Sequence, residues 1–381
     1  MTSASDRYDT IVVGVGGMGS AAAYHLADRG RDVLGLERYD VPHTKGSSHG
    51  VTRIIRRAYY EDPAYVPLIE RAYELWADLE AASGRDILHR TGSIDGGPAD
   101  SAVFAGSKRS CVDHDIPHEV LTGDEVNKRF PGYDLPSEYR AVYQADGGFL
   151  VPEQAIIAHV QAAQAAGAEI RAREAVHDWA ETVDGGVRVR TDQGTYVADR
   201  LVLTAGAWNA ELVEALEGLA VPERQVLAWF QPTDPAKFTP ERLPVWNLAT
   251  PEGRFYGFPS HDVPGFKLGK YHHRNETVDP DDWAREPDRA DEALLRDFTE
   301  RYFPEAAGPT MRLATCMFTN SPDEHFILDT LPANDDVVVA AGFSGHGFKF
   351  ASVVGEVLAD LATEGATDHP VGQFSLDRFD H

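Results

Sequence analysis

Thr10-Ile-Val-Val-Gly14-Val-Gly16-Gly17-Met18-Gly19-Ser20-Ala-Ala-Ala-Tyr-His-Leu-Ala27, followed by Asp32-Val-Leu-Gly-Leu-Glu37, decides the fold. Thr10 to Val13 is a short apolar run rich in β-branched residues and closed by glycines, which reads as a buried strand. Ser20 to Ala27 has the small, apolar composition of a helix packed on a sheet, and Gly30 ends it. Asp32 to Leu36 is a second strand, running into Glu37. The glycines have separate tasks: a tight turn, room for a pyrophosphate against the backbone, and close helix–strand contact. The helix N-terminus offers free N–H groups and a partial positive charge to that pyrophosphate. Glu37 stands 23 residues after Gly14, close to the spacing of an acid that takes an adenosine ribose. Arg38 beside it leaves a 2′-phosphate open, so these residues predict a dinucleotide site without choosing the dinucleotide. A bare glycine turn would not bring strand, turn, helix, strand and acid in this order.

At 381 residues the chain suits two domains with ample core. Its net charge is −26, and seven of its 35 basic residues are lysine. Such a surface repels nucleic acid and anionic membrane, which leaves small molecules as the expected partners. An acidic, lysine-poor surface also resembles that of proteins from a high-salt, halophilic cytoplasm, where screening removes self-repulsion. The sequence has no signal peptide, lipidation motif or apolar stretch near 18 residues, so no membrane association is expected. Cys111 and Cys316 are too few for a disulfide framework and lack metal-ligand spacing, which predicts a reducing, cytoplasmic setting and no metal.

Further along, Pro152 to Ala166 reads as a helix, and Glu169 to Ala172, Gly186 to Arg190 and Arg200 to Thr204 as strands. The last strand runs into Ala205-Gly206-Ala207-Trp208, a turn able to pass its backbone close to a nucleotide. Residues 85–145 are loop-rich. Residues 220–319 hold candidate strands at Gln225 to Gln231, Arg254 to Phe258 and Gly265 to Gly269, and an acidic, helix-prone insertion from Asp279 to Tyr302. The fold class is therefore α/β, of the two-domain α+β kind: a Rossmann-like domain carrying an antiparallel-sheet substrate domain. The nucleotide domain is expected to be discontinuous, from residues 1–84, 146–219 and 320–381, with 85–145 and 220–319 forming the other.

Three more motifs complete the pattern: Cys316 in Arg312-Leu-Ala-Thr-Cys-Met-Phe-Thr-Asn320-Ser-Pro-Asp-Glu-His-Phe; the loop Gly342-Phe-Ser-Gly-His-Gly-Phe-Lys349; and Gly46-Ser47-Ser48-His49-Gly-Val-Thr-Arg53-Ile-Ile-Arg56. With them the chain resembles the monomeric sarcosine oxidase and N-methyltryptophan oxidase family of flavin-dependent amine oxidases, from Tyr8 to about Leu361. That resemblance implies FAD, oxidation of the C–N bond of a secondary amino acid, O2 as acceptor, an imine and hydrogen peroxide as products, and a monomer. It implies cofactor contacts at Gly14, Gly16, Gly17, Met18, Gly19, Glu37, Arg38, Ser47, Ser48, Val176, Ala205, Gly206, Trp208, Gly345, Gly347, Phe348 and Lys349.

By the same resemblance Cys316 joins its sulfur to the flavin ring; from composition alone it would be a buried free thiol. Lys267 matches a lysine facing the flavin, where a fixed cation stabilises developing superoxide. Arg56 and Lys349 match a pair that clamps the substrate carboxylate, a fork plus an ammonium. Arg53 and His49 match residues beside the ring, and Tyr256 a tyrosine near the substrate. His272 or His273 supplies the active-site histidine, Lys270 being inserted relative to the family pattern. Phe318 stands where the sarcosine-oxidising members carry Tyr, which favours a bulkier or cyclic N-alkyl amino acid. The competing readings are a dehydrogenase of the same fold passing electrons to a carrier, which Lys267 opposes, and a non-enzymatic flavin-binding or tRNA-modifying relative, which the acidic surface and the Arg56/Lys349 pair oppose.

Overall fold

Thr10 to Val13 forms the inner part of a strand, Arg7–Val13, and the glycine turn after it opens the helix Gly17–Asp28. A computed structural model of the chain describes residues 7–379. The strand lies within an eight-stranded sheet, paired in parallel with Val33–Glu37 on one side and Thr195–Leu203 on the other. Glu169–Ala172 continues the parallel order beyond Val33–Glu37. Thr195–Leu203 changes partner along its length. Its first residues pair antiparallel with Val187–Thr191, and Leu201 to Leu203 pair in parallel with Asn334–Ala341.

Strands buried on both faces read as continuous apolar runs, and these do. Val12, Val202 and Val338 share one core with residues of the helices Gly17–Asp28, Val66–Ser83, Pro152–Ala165 and Ala351–Glu364. Ile11, Val13, Leu201, Leu203, Val337 and Val339, their neighbours in sequence, belong to a second core.

A second eight-stranded sheet runs in the order Thr310–Asn320, Val221–Phe230, Phe266–Lys270, Gly253–Phe258, Val245–Thr250, Ser93–Gly97, Arg140–Gln144, Glu119–Thr122. Its ladders are antiparallel except one: Ser93–Gly97 pairs in parallel with Val245–Thr250. The expected antiparallel sheet is thus mixed at that joint. No hairpin links these two strands, so no tight turn sets their relative direction. Alternation divides the sheet by face. Val226, Ala228, Phe230, Phe255, Phe266 and Leu268 join a core with the helix Arg289–Tyr302, while Leu227, Tyr256, Phe258, Cys316 and Phe318 line a cleft against the first sheet.

Residues 85–145 are more regular than their composition suggests. They contain the helices Ala102–Asp113, capped by Ser101, and Gly123–Arg129, opened by a capping box of Thr122 and Glu125. The acidic segment is helical only over Arg289–Tyr302, behind a capping box of Asp288 and Asp291. Pro280 and Pro287 interrupt the helix-prone composition before it. Among the described residues no helix is long and apolar enough to cross a membrane.

Candidate functional site

The cleft opens at the carboxyl ends of Arg7–Val13 and Val33–Glu37, where ligands of open α/β sheets bind. Gly14, Gly16, Gly17 and Met18 line its nucleotide end. A side chain at Gly16 would project into open space, so the backbone N–H groups at this helix start are reachable. Gly19 does not line the cleft. A Cβ there would fall 1.8 Å from the Gly14 carbonyl oxygen, so the third glycine serves helix–strand contact.

Glu37 is buried, and its carboxylate accepts from the backbone N–H of Val15 and of Tyr39, both at 2.9 Å, with His43 Nε2 at 3.3 Å. The Tyr39 and His43 contacts both fall on Oε1, so Oε2, with Val15 alone, keeps a lone pair free for a ribose hydroxyl. Arg38 also lines the cleft but pairs with Asp281 at 2.8 Å and lies 5.5 Å over the Trp208 ring. Its charge is therefore already answered by an acid, which weakens the case for a 2′-phosphate. Val176, Ala205, Gly206 and Trp208 complete this end. The donors, the acid and the open glycine fit the pyrophosphate and ribose of a dinucleotide.

At the far end the cleft is lined by Ser47, Ser48, Arg53, Tyr256, Cys316, Phe318, Gly345, Gly347, Phe348 and Lys349. Arg53 Nη2 donates to the Ser47 carbonyl at 2.7 Å and lies 3.8 Å from Cys316 Sγ. Burial pushes the Cys316 thiol up, and the Arg53 guanidinium beside it pulls the other way. The Phe318 ring packs on Gly345, where a Cβ would meet it at 2.4 Å. Lys349 is buried and donates to the His346 carbonyl at 2.7 Å. Burial brings its pKa down to about 7, with Glu61 holding it back. His346 lines the cleft between Tyr59 Oη, 2.5 Å from Nδ1, and the Glu324 carbonyl, 2.9 Å from Nε2; burial lowers its pKa to about 4, so the ring is neutral.

Besides Gly19, the expected residues Lys267, His49, Arg56 and His272, with its alternative His273, do not line the cleft. Lys267 stands just behind it, its ammonium donating to the Gly50 carbonyl at 2.6 Å, the Thr52 carbonyl at 2.9 Å and Thr52 Oγ1 at 2.8 Å. Burial, then Arg53, push its pKa well below the ordinary lysine value, while three acceptors match the three N–H bonds of the charged form. His49 is buried nearby; burial, then Arg53 and Lys267, lower its pKa to about 3. Arg56 is turned into the wall, 2.8 Å from Glu61 and 3.3 Å from Asp95. His272 lies between Glu223 at 2.8 Å and Glu324 at 3.1 Å, whose carboxylates raise its pKa to about 9. His273 is buried on Asp291 at 3.1 Å.

The cleft position is held by neither histidine but by Tyr271. Lys267, Gly269 and Tyr271 alternate onto one face, and the extra Lys270 carries both imidazoles past the strand end. Tyr271, His43 and His346 are site residues that motif reading passed over. The alternation from Lys267 was the signal for Tyr271, and His346 stood inside the glycine loop. Among the described residues no cluster of His, Cys, Asp and Glu is able to hold a metal.

Comparison with known proteins agrees with this geometry. The FAD dependent oxidoreductase family model matches residues 9–361. The chain is 44% identical to the monomeric sarcosine oxidase of Streptomyces avermitilis, covering 98% of each chain. It is 37% identical to the N-methyl-L-tryptophan oxidase of Yersinia pestis, covering 98% of this chain and 99% of that one. Among solved structures it is similar to NikD, an unusual amino acid oxidase essential for nikkomycin biosynthesis, with a TM-score of 0.84, 28% identity and 97% of both chains covered. The L-proline dehydrogenase of P. horikoshii shares the fold, at a TM-score of 0.84 and 22% identity over 99% of both chains. The α/β architecture, the dinucleotide cradle and these relatives lead to one conclusion: the chain belongs to the monomeric sarcosine oxidase and N-methyltryptophan oxidase family of FAD-dependent oxidoreductases.

Proposed function

We propose that this protein oxidises the C–N bond of a secondary amino acid, N-methylated or cyclic, and passes the electrons to O2. One observation carries the reading: a single cleft joins the glycine cradle at Gly16 to a buried sulfur, Cys316, and a buried amine, Lys349. FAD, when bound, supplies the two-electron acceptor that O2 reoxidises to give hydrogen peroxide. Gly14, Gly16, Gly17 and Met18 hold its pyrophosphate and Glu37 its ribose. Ser47, Ser48, Val176, Ala205, Gly206, Trp208, Gly345, Gly347 and Phe348 make up the rest of its wall. Cys316 tethers it covalently. The new C–S bond replaces an S–H and a C–H bond, so two electrons and two protons leave and O2 takes them as hydrogen peroxide.

Lys349, with Arg56, binds the substrate carboxylate, so that orientation is fixed before hydride transfer. Tyr256, Tyr271 and Phe318 wall the side-chain space. The apolar Phe318 ring favours a substrate larger than sarcosine. Lys267, Arg53 and His49 form the inner end, Lys267 supplying positive charge toward reduced oxygen. The helix Ala351–Glu364, entered from the Gly345 to Lys349 loop, adds its N-terminal dipole for negative charge on the ring. We assign residues 1–84, 146–219 and 320–381 to cofactor binding and 85–145 and 220–319 to the substrate side. The protein works as a monomer in the cytoplasm, and its charge of −26 suits a high-salt source.

The test is peroxide release by purified holoenzyme from sarcosine, larger N-methyl amino acids, proline and the methyl ester of each. Free acids are expected to turn over, the larger ones faster, and esters to fail. Esters reacting as fast as acids would sink the carboxylate site, and absence of peroxide from every amine would sink the oxidase.

A further inference from the structure

We infer that Asp95 is a positioning residue for Arg56 and sets how readily that guanidinium reaches a substrate carboxylate. The inference rests on the reading of the cleft as a carboxylate site. Arg56 is 1% exposed, and all three of its nitrogens face protein groups. Nη1 donates to the Ala58 carbonyl at 2.5 Å, Nη2 donates to Glu61 Oε2 at 2.8 Å, and Nε faces Asp95 Oδ1 at 3.3 Å. The Nε contact is one of charge, without hydrogen-bond geometry. Asp95 reaches Arg56 from the second sheet, on Ser93–Gly97, and is fully buried. Its neighbour across the parallel joint is Asn247, whose amide donates to Asp95 Oδ1 at 2.8 Å. The cation and the donor both meet Oδ1, while Oδ2 has no hydrogen-bond partner among the described residues, so this buried carboxylate is only partly answered.

Arg56 and Lys349 lie on the Tyr59 ring, at 4.8 Å and 5.2 Å from its centroid. The guanidinium is therefore one ring away from the amine that lines the cleft. To share a substrate carboxylate with Lys349, Arg56 has to loosen its hold on protein acids, so Glu61 and Asp95 compete with the substrate for one cation. Of the two, Asp95 is the one whose charge is removable without breaking a hydrogen bond to Arg56.

The test uses holoenzyme and methoxyacetate, a sarcosine-sized carboxylate with an ether in place of the amine, titrated by calorimetry beside its methyl ester. Asp95→Asn keeps the shape and an acceptor for Asn247. It is expected to tighten methoxyacetate binding by about tenfold and leave the ester unchanged. Asn247→Leu, which removes the donor that favours the ionised Asp95, is expected to move affinity the same way by less. A merely structural role would loosen both compounds together. If Arg56→Met weakens methoxyacetate binding but neither the Asp95 nor the Asn247 variant tightens it, the inference is wrong and the carboxylate site stands. If Arg56→Met leaves methoxyacetate binding intact, or the ester binds the parent enzyme as well as the acid, the carboxylate site fails and takes the inference with it.

Discussion

Arg53 and Cys316 face each other at the inner end of the cleft, guanidinium Nη2 to sulfur 3.8 Å, with the sulfur also 3.7 Å from the Ser47 carbonyl that Arg53 itself binds. A buried thiol is a poor nucleophile, and a cation at this distance is the means of making it a thiolate. Acid-precipitated enzyme is therefore expected to stay yellow, with the flavin on the peptide containing Cys316. Cys316→Ala is expected to give a colourless pellet. Arg53→Met is expected to slow covalent incorporation into apoprotein, measured as acid-stable absorbance over time. A yellow pellet from Cys316→Ala would rule out the tether.

Lys267 is held by three oxygens directly behind the cleft, at 2.6, 2.8 and 2.9 Å. Lys267→Met is expected to slow reoxidation by O2 on the order of 10²-fold while reduction by substrate changes far less. Stopped-flow measurement of the two half-reactions separates them. Equal losses in both would make Lys267 a residue that positions Gly50 and Thr52.

The parts legible in sequence are those set by local chemistry. Gly14 to Gly19 and Glu37 announced the cradle because a turn, a helix start and an acid lie within one stretch of chain. Strand alternation carried Tyr256, Phe258, Cys316 and Phe318 to one face, and read onward from Lys267 it selects Tyr271 rather than a histidine. Arg56 was legible as a cation but not as one held by Asp95, because that contact depends on a strand pairing across some 150 residues that leaves no local trace. The helix Ala102–Asp113 was missed for a related reason: its buried residues include Ser107 and Ser110, whose hydroxyls bond the Ala58 and Tyr59 carbonyls. Polar residues on an inward face erase the period that marks a helix.

Lys349 gives the site a pH dependence whose sign follows from its pKa of about 7. Below that value the amine is charged and attracts a carboxylate; above it, binding must bring a proton in. Methoxyacetate affinity is expected to be flat at low pH and to fall by up to about tenfold per unit above about pH 7. Asp95, with a pKa raised to about 6 by burial, adds a shallower fall in the same direction, while Glu61 stays ionised and Arg56 charged throughout. Lys349→Gln is expected to weaken binding and abolish the steeper limb. A limb that survives in that variant assigns it to another group.

Asp291 anchors the back of the second sheet. It is fully buried, receives Arg224 at 2.6 and 3.0 Å, and contacts His273 at 3.1 Å. Burial pushes its carboxyl up, but Arg224 and the Asp288 N–H hold it well below the usual carboxylate range. A depressed carboxylate stabilises the fold above its unfolded pKa of about 4, and that stability is lost as pH falls below it. Asp291→Asn is expected to cost up to about 3–5 kcal/mol near neutral pH, leaving the buried Arg224 with only the more distant Glu276, at 3.6 Å, as counter-charge. Denaturant unfolding at neutral and acid pH checks both the size and the disappearance of the difference. An equal loss at both pH values would mean that packing, not charge, is what the residue supplies.

The change of partner along Thr195–Leu203 has a consequence for how the protein is made. Leu201 to Leu203 stay unzipped on one edge until Val337 to Val339 arrive, and Cys316 and Lys349 are supplied by the same late stretch. During synthesis the first cradle strands emerge long before the strand that completes their layer, which exposes an apolar edge for much of translation. Nascent chains are therefore at risk of sticking to one another until that final strand docks, and a chaperone that shields the edge meanwhile would raise yield without touching the finished enzyme.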